Sequence, residues 1–435
     1  MSTLLARLRR LPAQAVGMPK NIKLFLITVL SFGIAVDGVN AVLLNLYLLR
    51  LGYGTEFIGT LNSAGLLIFA LVSLPIGAVQ RYSSRNMLQI GQVLSLVGMV
   101  GFPLAAFAPF GQAGLLITFK IISMIGLSCY FVHQLPFAME ITKPAWHSRI
   151  LSLTMATFSL AAFFGSWFGG LLPGFFGQWL NLPLTDPRTF QMAMLVASSM
   201  LLPAMLAIWF IPEGGKLGFT LEAEPADRST ADSSPFGDWR LIVGLLALIV
   251  VVRALQTSGL GIIMTFSNVY FDEALLVPTS RIGLITGFGR LLGVPMSLTI
   301  PWLVRRFGNF NLVIISLGLI AVLIIPIAFI PYWPIAALAL MTITSMGSLR
   351  YLSFISFTMS LVSEKQRSLV SGAGEMALGI GFSISSFIGG YLIAWYGYSA
   401  VFVFGATVTV IGTVIFWVIF RKRVTTIPAT PAPAS

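Results

Sequence analysis

Long apolar stretches recur along almost the whole of this chain, and they constrain its fold more than any other feature. A bilayer-spanning α-helix needs about 20 consecutive apolar residues, and stretches of that length follow one another, separated by short polar turns. Of the 435 residues, 57% are hydrophobic and 9% are charged, whereas roughly a quarter of the residues in a soluble domain are charged. The sequence therefore predicts an integral membrane protein.

The spanning elements are predicted to be helices, because backbone amides must be hydrogen-bonded within the membrane. A transmembrane barrel consists of roughly ten-residue segments of alternating polarity, and stretches such as 241–252 do not alternate. The first apolar stretch, 22–49, exceeds the about 7 to 15 apolar residues of a signal peptide and contains Asp37. We interpret it as a retained span.

Twelve spans are predicted, six on either side of one long polar segment. They cover residues 22–49, 56–79, 87–108, 113–139, 150–177, 190–211, 240–270, 281–304, 311–331, 333–361, 369–396 and 398–420. The polar segment contains several Gly, Ser and Pro residues and is interpreted as a linker. The chain thus divides into an N-terminal segment (1–21), a six-helix half (22–211), the linker (212–239), a second six-helix half (240–420) and a tail (421–435).

Lysine and arginine are distributed unevenly between the predicted loops, which indicates the orientation of the chain. Of the 26 Lys and Arg residues, 19 lie in the termini, the linker and the loops after spans 2, 4, 8 and 10, 3 lie in the opposite loops and 4 lie within spans. Both termini and the linker are therefore predicted to lie on the cytoplasmic side. The protein itself is predicted to reside in the inner (cytoplasmic) membrane of a cell. The net charge of +12 is attributed to this topology and not to nucleic acid binding.

The two halves share a weak internal repeat. Gly59 and Gly65 correspond to Gly283 and Gly289 at an offset of 224 residues, and the pattern Asn-x-Tyr occurs at 45–47 and again at 268–270. The pattern Ser-x-x-Gly-Gly recurs at an offset of 220, at 166–170 and 386–390. Because these matches are collinear around the linker, they indicate a duplicated six-helix unit.

With these features the chain resembles the major facilitator superfamily of secondary transporters over essentially its whole length. In that family the loop after span 2 carries a glycine, an aspartate four positions later and then basic residues. Here Gly77 is followed by Arg81 and Arg85, and the second copy, 301–308, is equally degenerate. The aspartate that helps to latch one conformation in the family is therefore missing.

The resemblance implies an all-α membrane protein with twelve transmembrane helices in two pseudo-symmetric six-helix bundles around a central cavity. Spans 1, 4, 7 and 10 are expected to line that cavity, and spans 3, 6, 9 and 12 are expected to face lipid. In the drug exporters of this family, span 5 carries a sequence pattern similar to Gly-Pro-x-x-Gly-Gly. Residues 165–170 lack the proline, which weakens the drug-exporter interpretation.

Ionisable side chains inside the predicted spans are the strongest functional signal. A charge in the membrane interior costs about 2.5 kcal/mol or more unless it faces a wet cavity or a partner. Spans 3, 6, 9 and 12 carry none, as the cavity model requires. The ionisable positions are Asp37, Lys120, His133, Arg253, Arg290, Arg350 and Glu375.

An excess of positive charge predicts an anionic solute. Four of the intramembrane groups are permanent cations and two are carboxylates, and a cationic cavity of low dielectric attracts anions. At 3.6 residues per turn, Asp37 shares one side of span 1 with Asn40 and Tyr47, and similar polar sides follow in spans 4 and 7. The predicted substrate-binding residues are Arg253, Arg350, Asn40, Tyr47, Lys120, Tyr130, Gln134, Gln256 and Asn268.

Asp37 and Glu375 are the predicted proton-coupling residues. Asp37 can alternatively neutralise an arginine of the opposite half, such as Arg253 or Arg350, without touching substrate or protons, and Glu375 can serve a gate or a salt bridge instead. His133 lies off the polar side of span 4 and is predicted to be a buried packing residue. For Arg290 the sequence does not distinguish between a proton site, a gate and a salt bridge.

Charged residues beside the cytoplasmic loops are predicted to form ion pairs that open and close with an inner gate. These gating candidates are Arg81, Arg85, Glu140, Arg149, Arg305, Arg306, Glu364 and Arg367.

Several chemistries lack their sequence signatures. The chain has no phosphate-binding Gly-x-x-x-x-Gly-Lys-Ser/Thr loop, so energy is expected from an ion gradient. Two His and one Cys, Cys129, give no metal-ligand set, and no cofactor is expected. The only intramembrane carboxylates, Asp37 and Glu375, lie at different depths, which disfavours an enzyme.

The sequence thus predicts a secondary active transporter that moves a small anionic solute by alternating access. Protons or another ion are expected to be coupled to solute movement. The protein is expected to be embedded in the lipid bilayer and to function as a monomer. The alternatives are a proton-driven multidrug or metabolite efflux antiporter and, outside transport, an intramembrane enzyme or a transport-dead receptor or scaffold.

Overall fold

The computed structural model describes residues 19–78, 83–143, 146–212, 239–360 and 367–424. The predicted N-terminal segment, linker and tail lie almost wholly outside the described residues. The same holds for the gating candidates Arg81 and Glu364 and for the side chain of Arg367.

Ten continuous helical segments within the described ranges are long and apolar enough to cross a membrane. Two of them, Thr279–Phe329 and Gly372–Arg421, have 51 and 50 residues, about twice the length that a bilayer requires. They break at Gly308 (φ 74°) and Gly397 (φ 80°), in a region of φ that glycine adopts without strain. Each segment therefore forms two spans, and the predicted twelve-helix, all-α membrane fold is confirmed.

The twelve helices follow the predicted spans closely. Their bounds are α1 (Lys20–Arg50), α2 (Thr55–Ala78), α3 (Ser84–Ala105), α4 (Gln112–Glu140), α5 (His147–Leu180), α6 (Pro187–Trp209), α7 (Trp239–Glu273), α8 (279–307), α9 (309–329), α10 (Trp333–Ser345 and Gly347–Ser360), α11 (367–396) and α12 (398–424).

Local signals explain where several helices begin. The side chain of Asp186 accepts a hydrogen bond from the backbone N–H of Arg188 (2.9 Å), and Pro187 occupies the first turn of α6. Ser83 caps α3 in the same way through the N–H of Asn86 (3.4 Å). These side chains satisfy backbone donors that the first turn of a helix leaves unpaired.

A π-helical segment, Gly33–Asn40, interrupts α1 between two α-helical parts. It lies against α5, where a Cβ on Gly33 would lie 2.7 Å from the Cβ of Ala161. A π turn contains more residues than an α turn, so the 3.6-residue phase does not carry through this segment. The expectation that Asp37 and Tyr47 share one side of α1 is therefore wrong.

Hydrogen bonds show that the sequence repeat is also a structural repeat. Tyr47 donates to the carbonyl of Pro103 within the first half, and Tyr270 donates to the carbonyl of Ile327 within the second, both at 3.0 Å. Donors and acceptors are thus related by offsets of 223 and 224 residues. The two bundles therefore use the same internal contact between their first and third helices.

The same symmetry joins the two halves at the end of the molecule where α1 and α7 end, which we call the far end. The side-chain amide of Asn45 donates to the carbonyl of Thr265 (2.6 Å), and Asn268 donates to the carbonyl of Ala41 (3.0 Å). Each asparagine reaches into the opposite half. The exchange seals the far end by two equivalent contacts.

Glycines bring the halves into backbone contact at two further symmetric places. A Cβ on Gly59 of α2 would lie 3.0 Å from the Cα of Gly390 in α11, and one on Gly283 of α8 would lie 2.9 Å from the Cα of Gly170 in α5. Small residues permit such close approach between membrane helices. The repeated glycines of the sequence therefore form the interface between the halves.

Substitution of Gly170 by Val should open the far end, because a Cβ at this position would lie 3.0 Å from the Cα of Gly283. The matched control is Gly174→Val, one turn further along α5, where nothing lies within 4 Å of an added Cβ. The reporter is Thr55→Cys, a buried interface position, in a Cys129→Ser background. We expect several-fold faster labelling by a membrane-impermeant maleimide in Gly170→Val only. Equal rates in the two variants would contradict this role of the interface.

Candidate functional site

The far end is closed by an ion pair as well as by the asparagine exchange. Arg50, at the end of α1, forms two hydrogen bonds with the carboxylate of Asp272, at the end of α7, at 2.7 and 2.8 Å. The Arg50 guanidinium also lies 5.3 Å from the ring centroid of Phe190. A paired, partly desolvated bridge of this kind is stronger than an exposed one. From the sequence, Arg50 is assigned only to a loop, and Asp272 is not selected.

A cavity of about 1120 Å³ lies between the halves toward the opposite end, where α1 and α7 begin, which we call the terminal end. It is lined by α1 and α5 of the first half and by α8 and α10 of the second. Lys23 and Arg149 lie at its mouth, and Tyr351 and Leu352 belong to its α10 wall. The molecule is therefore closed at the far end and open at the terminal end.

An ion pair joins the halves at mid-depth. The carboxylate of Asp37, on the π-helical segment of α1, pairs with the guanidinium of Arg290 on α8, which also donates to the Asp37 carbonyl. Both residues line a cavity of about 270 Å³, and Ser159 and Gly293 line this cavity and the large one. The Asp37 side chain retains 41% exposure. The pair thus lies where the large cavity can reach it.

A second charged cluster lies entirely within the second half. The guanidinium of Arg253 on α7 lies 3.8 Å from the ring centroid of Phe354 and 6.0 Å from that of Tyr351, both on α10. The Tyr351 hydroxyl donates to the carboxylate of Glu375 on α11 at 2.5 Å. Arg253 and Arg350 both interact electrostatically with that carboxylate. Three helices thus converge on one carboxylate and two guanidiniums.

This cluster contains buried hydrogen-bonding atoms that have no partner among the residues that the structure describes. They include Nε of Arg253 and both Nε and Nη1 of Arg350, whose side chains are almost fully buried. One turn further along the same helices, the amide of Gln256 and the hydroxyl of Ser353 are buried and equally unpaired. Unsatisfied buried donors cost about 1 to 3 kcal/mol each. A bound polar group would provide the missing partners.

Lys120 is the buried cation of the first half. Its side chain is 6% exposed and packs beside Gly65 of α2, and no described residue forms an ion pair or hydrogen bond with it. Neighbouring polar residues of α4 are engaged locally. Tyr130 stacks on Phe32 with ring centroids 3.6 Å apart and accepts a hydrogen bond from Gln134 (3.3 Å).

The remaining candidates have mixed surroundings. His133 contacts the carbonyl of Cys129 on its own helix (3.1 Å), which fits a packing residue. Tyr47 and Asn268 are bound to backbone carbonyls at the far end, and Asn40 ends the π-helical segment, half-buried. A direct substrate contact by these residues remains a prediction.

The described gating candidates make contacts close to the terminal end. Arg85 donates to the carbonyl of Trp209 on α6 (2.8 Å), and Glu140 accepts a hydrogen bond from Ser84. The guanidinium of Arg149 lies 4.7 Å from the ring of Trp146, that of Arg306 lies 5.5 Å from the ring of Trp302, and Arg305 is exposed. A gating role for these residues also remains a prediction.

Comparison with known proteins gives the same picture of the fold. The sequence profile described as Major Facilitator Superfamily matches residues 24–373. A solved structure of the nucleoside transporter NupG has a TM-score of 0.70 at 15% identity, over 93% of this chain and 100% of that chain. The D-xylose-proton symporter has a TM-score of 0.68 at 15% identity, over 92% and 96%.

A bacterial homolog of the human lysosomal transporter Spinster, in an inward-facing and unoccupied conformation, has a TM-score of 0.72 at 13% identity, over 95% of this chain and 100% of that chain. At these identities the structural likeness establishes the fold and leaves the substrate open. The sequence profile covers most of the chain. This protein therefore belongs to the Major Facilitator Superfamily, and the family and its structural neighbours indicate a membrane transporter.

Proposed function

We propose that the protein is a proton-coupled secondary transporter of an anionic solute, and that Arg253 and Arg350 bind the anion. One observation carries the proposal: two buried guanidiniums lie beside a single carboxylate, Glu375, and retain unpaired donors. The cluster therefore has an excess of positive charge.

An anion is the ligand that best satisfies this cluster. A charge taken out of water is costly unless a counter-charge and hydrogen bonds compensate it, and carboxylates and phosphates accept paired hydrogen bonds from a guanidinium. Gln256 and Ser353 add neutral hydrogen-bonding groups one turn away. Tyr351 lines the large cavity and donates to Glu375, so this side chain connects the cluster with that cavity.

Asp37 is the proposed proton carrier. In this conformation its carboxylate pairs with Arg290 across the two halves, and the adjoining large cavity gives protons a route to it. Protonation would neutralise Asp37 and remove the ionic component of this link. The halves would then separate more easily, which couples proton binding to rocking. Glu375 is the second candidate, because anion binding at the arginines competes with its charge.

In the proposed transport cycle the protein alternates between a state closed at the far end and a state closed at the terminal end. With the terminal end assigned to the cytoplasm from the distribution of Lys and Arg, the described conformation is inward-facing. The outward-facing state requires rupture of the bridge between Arg50 and Asp272 and of the asparagine exchange. We place the protein in the inner (cytoplasmic) membrane and propose that a monomer suffices, since both halves are present in one chain.

Efflux by proton antiport is the competing proposal, favoured by the apolar lining of the large cavity. Symport and antiport differ in the direction of solute movement for the same imposed pH gradient. Reconstitution in proteoliposomes separates them.

Substitution of Arg350 by Gln should weaken anion binding by roughly 10- to 100-fold, because a charge-assisted hydrogen bond contributes about 1.5 to 3 kcal/mol. The measurement is a thermal-shift titration of purified protein with small carboxylates and phosphate esters, alongside size-matched amines. The control is Arg188→Gln, which removes an equal charge from the exposed first turn of α6. Stabilisation by amines in preference to anions would overturn the anion assignment.

Substitution of Asp37 by Asn should abolish uptake driven by a pH gradient and spare solute exchange, because Asn cannot carry the proton. The assay uses proteoliposomes and the anion that binds best in the thermal-shift titration. Asp186→Asn is the matched control, since Asn also caps a helix. Undiminished driven uptake in Asp37→Asn would exclude Asp37 as the carrier and leave Glu375→Gln as the next variant to assay.

A further inference from the structure

The large cavity has a mostly aliphatic wall. Leu26 and Leu30 of α1, Met155 of α5 and Leu298 of α8 are among its lining residues, with Leu352 on α10. At about 1120 Å³ it is at or above the roughly 300 to 1000 Å³ that holds a drug-sized ligand. A small hydrophilic anion at the arginine cluster would leave this apolar wall uncovered.

The charged side chains that line the large cavity itself are cations, whereas the carboxylates Asp37 and Glu375 lie beside arginines in the adjoining sites. Lys23 and Arg149, at the mouth, are the charged lining residues, and both are cations. Tyr351, which also lines the cavity, contacts the arginine cluster, where two guanidiniums lie near one carboxylate. Net positive charge thus lies beside the aliphatic wall in two places, which favours an anionic ligand over a cationic one.

The cavity also extends between α5 and α8, which both contribute to its lining. These helices meet at Gly170 and Gly283 and at the ring contact between Phe163 and Phe288, whose centroids are 5.3 Å apart. Toward the terminal end Leu298 is 70% exposed and Met155 53% exposed. The gap between the helices therefore presents apolar side chains at a depth where hydrocarbon surrounds the protein.

From the lining, the charge and the opening together, we propose that the solute is a single-chain amphiphile with an anionic head group. The head group binds at Arg253 and Arg350, the alkyl chain lies along the cavity wall, and entry is possible from the membrane between α5 and α8. This inference rests on the proposed anion transport and specifies its substrate class.

The experiment measures binding of butyl, hexyl and octyl phosphate to the purified full-length chain by thermal shift, below the critical micelle concentrations. Each buried methylene contributes up to about a fourfold gain in affinity, so octyl phosphate should bind at least about tenfold more tightly than butyl phosphate. Octyltrimethylammonium, with the same chain and the opposite charge, should bind much more weakly than octyl phosphate.

A pair of variants tests where the alkyl chain of the ligand lies. Leu298→Asn should weaken octyl phosphate roughly fivefold and leave butyl phosphate unchanged, because only the longer chain reaches this part of the wall. Leu338→Asn is the control, since Leu338 is 67% exposed on α10 and does not line the cavity.

The outcomes separate the inference from the proposed function. If butyl and octyl phosphate bind with equal affinity and Arg350→Gln abolishes this binding, the inference of an amphiphilic substrate is overturned and the proposal of an anionic solute is retained. Equal binding of octyl phosphate and octyltrimethylammonium would overturn the anionic head group. Absence of binding by every phosphate would overturn the anion proposal itself, and the amphiphile with it.

Discussion

Lipid cannot hydrate a charge, and this constraint explains the two ion pairs that join the halves among the described residues. Asp37 pairs with Arg290 across the two halves, and Arg50 pairs with Asp272 at the far end. Each pair satisfies charges that hydrocarbon would penalise, and each also links the two bundles. In the proposed alternating-access cycle the bundles separate at one end at a time, so these two ion pairs are the contacts that a proton or a solute would have to release.

The twelve-helix fold was predictable because its signals are local. Twenty-residue apolar stretches mark the spans, and the repeated glycines at 59 and 283 indicate the duplication. Their contact with the opposite half is visible only in the structure. The π-helical segment at Gly33–Asn40 was not predictable in this way. It depends on packing of α1 against α5, and a hydrophobic period measured within one helix carries no information about its neighbour.

The site was predictable only in part. Intramembrane charge pointed to Asp37, Arg253, Arg350 and Glu375, because burial of charge is a property of sequence and depth. Their partners were not predictable. Glu375 contacts a tyrosine, Tyr351, that carries no charge and had no reason to be selected, and the pairing of Asp37 with Arg290 joins residues 253 positions apart. Partners of this kind follow from how helices rotate against one another, which spacing along one span does not encode.

Symmetry divides the residues into two groups. Asn45 and Asn268, which seal the far end, occupy equivalent positions of the repeat. At the matching offsets, the counterparts of Asp37, Arg253 and Arg290 are leucines, at 260, 30 and 66. A rocking interface works best when both halves contribute equal contacts, whereas a binding site for an asymmetric solute needs unlike groups facing it. The duplicated residues therefore form the contacts between the halves, and the residues that break the repeat are the ones proposed to bind the solute and the proton.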